Sequence, residues 1–159
     1  MDFRIIWALI LTILPISELR GGLPLAIIYA TDHNIPIIFI FSLVILLNIL
    51  VIFFVFYFLD NIHHIFLNFK FYKKFFEFYV KKFQRKIDKF EKRYSVLGFL
   101  ALTLFVAVPL PVTGAWSGCL VSWMLDLDRK KSILAISLGV IIAGIIILFG
   151  TIGLINLFF

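Results

Sequence analysis

Pro15-Ile16-Ser17-Glu18-Leu19-Arg20-Gly21-Gly22-Leu23-Pro24 lies in the middle of an apolar run, Ile5–Tyr29, whose only charges are Glu18 and Arg20. The stretch combines two ionisable side chains with two prolines and a pair of glycines, residue types that break helices. The apolar pieces on either side run about 10 to 14 residues, the range of re-entrant segments rather than of full crossings. A charge at bilayer depth costs about 2.5–3.5 kcal/mol on insertion scales, so two of them need partners or a purpose. The reading that follows is a hairpin that enters a membrane and leaves on the same side, with its break at Gly21-Gly22.

The rest of the chain makes lipid the expected solvent. Of its 159 residues 63% are apolar and 15% charged, and Phe alone occurs 20 times. Mean hydropathy is +1.11. A soluble domain of this size has too little interior to hide that much apolar surface. Ile35–Leu59 is free of charge and long enough to cross a bilayer, and so is Ser132–Phe159. A second broken segment, Val96–Leu125, precedes the latter. Its tip reads Pro109-Leu110-Pro111-Val112-Thr113-Gly114-Ala115-Trp116-Ser117-Gly118, with no charge between Ser95 and Leu125.

Sliding the chain by 93 residues lays the second tip over the first and the second long helix over its counterpart. Each half then reads as a broken hairpin, a short polar turn (Thr31–Asn34, Asp126–Lys131) and a long helix. The fold expected is an all-α integral membrane protein, an inverted repeat of re-entrant hairpin plus transmembrane helix in one membrane domain. Residues 1–59 form the first repeat, 60–94 a basic amphipathic linker helix and 95–159 the second repeat.

Charge orients this arrangement. Ten basic residues fall between Lys70 and Arg93 against three acidic ones, so the stretch carries +7 and the remainder −1. A nucleic-acid patch is the weaker reading, because the basic block is flanked by spanning segments and fits a positive-inside loop. Its aromatic residues, from Phe69 to Tyr94, recur at steps of three and four. Such a helix suits the anionic headgroups of the bilayer surface, or packs on the protein's own spans. If each broken segment were one discontinuous crossing, Lys70–Arg93 and Arg129–Lys131 would lie on opposite sides. Hairpins bring both to the cytoplasmic side of the plasma membrane and leave both termini outside. Three short spans per half give the same sidedness. Arg4 before an apolar run resembles a signal peptide, but no small-x-small cleavage site follows.

The two tips are the candidate substrate or ion site: Glu18, Arg20, Gly21, Gly22 and Pro24 from the first, Pro109, Pro111, Thr113, Gly114, Trp116 and Ser117 from the second. Irregular backbone at membrane depth survives where protein buries it or water reaches it, and paired breaks near the midplane are how inverted-repeat transporters build sites. Arg20 suits an anionic group, and Glu18 a proton or cation. The competing reading is a structural pair holding the tips together. Ala135, Gly139 and Ala143 form a small-residue face for close helix packing. Asn48, mid-span, is expected to bond another helix. One cysteine (Cys119) excludes an internal disulfide, and no catalytic triad, phosphate loop or metal-ligand spacing occurs. No enzyme activity, cofactor or metal is expected. A second copy of the chain is an expected partner.

Ser17–Pro24 and Pro109–Gly118 resemble the two signatures of the small multidrug export family, and the resemblance covers nearly the whole chain. Val112 departs from it, standing where glycine is expected. The family is in turn distantly similar to the DedA-like, or VTT, membrane proteins, which have paired re-entrant hairpins. The resemblance implies export of a small molecule. The DedA-like link implies instead a translocase of anionic lipid headgroups, and a substrate-free membrane scaffold is the third possibility.

Overall fold

The computed structural model describes residues 3–15, 17–66, 91–110 and 113–158. Among these the secondary structure is all helical. The helices are α1 (Phe3–Ile13), α2 (Glu18–Asp32), α3 (Ile37–Phe66), α4 (Glu91–Ala107), α5 (Ala115–Met124) and α6 (Arg129–Phe158). The aromatic stripe and most of the basic block from Lys70 to Arg93 lie outside the described residues, as does Pro111.

α3 and α6 carry apolar stretches of spanning length, Ile37–Asn61 and Arg129–Ile155. One face of each is buried: Val44, Ile45, Asn48, Ile52 and Val55 on α3, Ala135, Ile136, Val140 and Ala143 on α6. Their other faces expose Phe39, Phe53, Phe54, Leu134, Leu138 and Ile146. A helix apolar all round is at home in a core or in lipid. The two run antiparallel. Ile45 Cδ1 would stand 2.5 Å from a Cβ on Gly144, and Asp60 pairs with Arg129 at 2.7 Å. The contacts are fifteen residues apart on both helices, so the end of the apolar stretch of α3 and the start of α6 share one end of the bundle.

Both long helices are reached through the same turn. After α2, Asn34 adopts φ 53°, its N–H bonds the Thr31 carbonyl and that of Ile35 reaches back to Ala30 at 2.9 Å. After α5, Asp126 adopts φ 51°, bonding Trp123, and Leu127 reaches back to Ser122 at 3.0 Å. Each is a Schellman motif, with Asn or Asp taking the left-handed position that glycine usually fills. Asp128 then caps α6 by accepting the Lys131 N–H at 2.9 Å.

The first break lies elsewhere than the glycines suggest. The chain turns at Leu14, Pro15 and Ser17, and α2 runs unbroken through Gly21, Gly22 and Pro24. Gly22 serves contact instead. A Cβ there would meet the Ala8 carbonyl at 2.7 Å and the Thr12 nitrogen at 2.8 Å, so its absence lets α1 lie against α2. Pro24 costs α2 one hydrogen bond, to the Arg20 carbonyl, and the surrounding packing holds the helix across it. Asn48 also departs from expectation. Its amide donates to Val44 of its own helix at 3.1 Å, and its buried Oδ1 has no partner. The small-residue face of α6 is used as expected: a Cβ at Gly139 would lie 2.6 Å from Val106 Cβ on α4.

Candidate functional site

The site begins with a backbone conformation. Glu18, the first residue of α2, has φ 43°, a left-handed geometry that costs a non-glycine residue about 1–2 kcal/mol. Its N–H still bonds the Leu14 carbonyl at 3.0 Å. Its side chain crosses to the second half of the chain and is 8% exposed.

There it meets the N-terminus of α5. Oε2 accepts the Ala115 N–H at 3.2 Å and Oε1 accepts the Trp116 N–H at 3.0 Å. The first amides of a helix have no partner within it, and the residue in the capping position, Gly114, has no side chain to offer. Glu18 therefore caps α5 from another helix, placing a carboxylate at the positive end of the helix dipole. Gly114 is required for this: a Cβ there would overlap the carboxylate, 2.5 Å from Cδ.

Arg20 makes the second crossing. Its Nη2 donates to Thr113 Oγ1 at 2.7 Å. The same hydroxyl lies 2.6 Å from the Val108 carbonyl and accepts the Leu110 N–H at 3.3 Å, so Thr113 also folds the loop between α4 and α5. Trp116 completes the junction, its indole N–H donating to the Ile13 carbonyl at the end of α1 at 3.0 Å. A cavity of about 10 Å³, room for roughly one water, lies beside these groups. Glu18, Arg20, Thr113 and Gly114 line it with Val106, Val140, Ala143 and Ile147.

Of the residues expected at the site, the fold brings together Glu18, Arg20, Thr113, Gly114 and Trp116. Gly21 and Gly22 face Ser17 and α1, Pro24 sits inside α2, and the Ser117 hydroxyl bonds Gly114 of its own turn at 3.3 Å. Pro109 is half-buried in the loop. Backbone groups freed at the breaks are expected from the sequence to join Glu18 and Arg20, but which amides they are carries no residue signal; the structure places those of Ala115 and Trp116 on Glu18.

A second polar cluster was unforeseen. Near the end of the apolar stretch of α3, Asp60 accepts Arg129 Nη2 on both oxygens, at 2.7 and 3.0 Å, and Trp123 Nε1 at 3.2 Å. The Arg129 guanidinium lies 4.2 Å from the centre of the Phe56 ring. The signal available was a lone carboxylate closing a long apolar helix. Among the described residues no group of three His, Cys, Asp or Glu side chains is placed to hold a metal.

Two helices of spanning length with apolar outer faces, taken with the family match that follows, mark a membrane protein. Residues 18–146 match the family described as putative small multi-drug export protein, and the chain belongs to that family. No curated protein matches the chain, and no solved structure does.

Proposed function

We propose that the chain is a small exporter whose substrate path passes the junction of Glu18 and Arg20 with Thr113–Trp116, with proton or sodium coupling through Glu18. In this reading α1–α2 and α4–α5 are re-entrant hairpins of an inverted repeat. The basic segments face the cytoplasm, and both termini lie outside. Three features support the arrangement: the antiparallel long helices, the twice-used Schellman turn, and helices of 11, 15, 17 and 10 residues against the about 20 of a typical crossing. Family membership supports export.

The observation that carries the site is the burial of Glu18 with its carboxylate spent on two amides of the other half. Such a carboxylate couples its own ionisation to how the halves meet. Protonation weakens its acceptance of both N–H groups and loosens the junction, which is what proton-linked transport requires.

Reconstitution in proteoliposomes tests this. A pH gradient should drive uptake of a lipophilic cation, and Glu18→Gln and Arg20→Ala should abolish it while the protein stays folded. Movement of a labelled phospholipid in place of the cation would assign the lipid-translocase reading. Wild-type activity in both variants would remove the junction from the mechanism.

A further inference from the structure

We propose that Asp60, Arg129 and Trp123 form a latch closing the α3–α6 end of the molecule, and that a second conformation exists in which it opens past Cys119 toward Glu18. This rests on the junction being the transport site.

The latch joins the two halves at one point. One carboxylate, near the end of the apolar stretch of α3, holds the last turn of α5 through Trp123 and the first residue of α6 through Arg129. The opposite end has no such tie at matching positions. The paired Schellman turns relate the halves by 92 residues, and under that shift Asp60, Trp123 and Arg129 correspond to Ile152, Thr31 and Ile37. None of those three matching residues can form a carboxylate–guanidinium pair.

The interior is asymmetric in the same sense. The cavity beside Glu18 extends along α6 away from Arg129, toward Ala143 and Ile147. On the latch side Ile52, Val55, Ile136 and Cys119 are buried, with Cys119 Sγ 3.8 Å from the Ile52 carbonyl. The space beside Glu18 thus lies on the far side, and buried apolar side chains pack on the latch side. The cavity, about 10 Å³, is also far below the roughly 300 Å³ or more of a drug-sized site. Passage of such a molecule requires the helices to part. The tie most easily made and broken is the half-exposed Asp60–Arg129 pair, because exposed ion pairs are individually weak.

Cys119 is the chain's single cysteine and reports on the sealed side without engineering. The full-length protein, in right-side-out and inverted membrane vesicles, is treated with a membrane-impermeant maleimide. Asp60→Asn and Arg129→Gln should each raise the rate of Cys119 modification about two- to fivefold, from the face carrying Arg129 only. The charge-swapped pair Asp60→Arg with Arg129→Asp should recover most of the protection. Unchanged rates, an equal rise from both faces, or a swapped pair as reactive as the single variants would each overturn the latch. Should Glu18→Gln transport normally while the latch variants expose Cys119, the latch stands and the junction reading falls.

Discussion

Arg20 and Thr113 are 93 residues apart in the chain and 2.7 Å apart in the fold. The separation equals the shift that lays one half of the sequence over the other. With the Glu18 carboxylate on the Ala115 amide, this contact marks where α2 meets the loop and helix of the second part of the chain.

That contact predicts a measurable coupling. Thr113→Val preserves shape and removes the hydroxyl, so it should cost about 1.5–3 kcal/mol, the range for a hydrogen bond to a charged group. A double-mutant cycle with Arg20→Ala, read from unfolding in denaturing detergent, should return a coupling of at least about 1 kcal/mol. Additive losses would show that the two side chains do not act together.

Glu18 and Gly114 form a lock of shape and charge. Glu18→Gln keeps one acceptor oxygen for two amides and should destabilise by about 1–3 kcal/mol. Gly114→Ala places a methyl group where the carboxylate lies and should cost at least as much, although it removes no polar atom. Equal stability of Gly114→Ala and wild type in thermal unfolding would contradict the seat described for Glu18.

The glycines divide into two classes. Gly22→Ala presses on the backbone of α1 and should lose about 1–3 kcal/mol to overpacking. Gly150→Ala, inside α6 with open space around it, should hold stability or gain up to about 1 kcal/mol from helix propensity. The Gly22→Ala midpoint should fall and the Gly150→Ala midpoint should not.

Asn48 offers a stabilising substitution. Its Oδ1 is buried without a partner, a cost of about 1–3 kcal/mol. Asn48→Leu removes the orphan at similar volume and should raise the unfolding midpoint.

The long helices were readable from composition, because an uncharged run of spanning length has few other uses. The two charges of the first tip were singled out for the same reason, since burial of Glu18 or Arg20 needs compensation. The position of the first break was not readable. Gly21, Gly22 and Pro24 carry the same letters whether they end a helix or admit a neighbour, and only the approach of α1 decides between them. Asp60 and Arg129 were missed as a pair because 69 residues separate them, and nothing local ties a carboxylate to a partner so distant.

Capping across 97 residues also has a consequence in time. When α2 leaves the ribosome, the amides that will receive Glu18 do not yet exist. At about 5–20 residues per second they follow roughly 5–20 s later. Until then the carboxylate lacks these partners, so α2 cannot reach its final packing as it is made. Biogenesis of this protein therefore ends with a late, joint step in which both halves reach their places together.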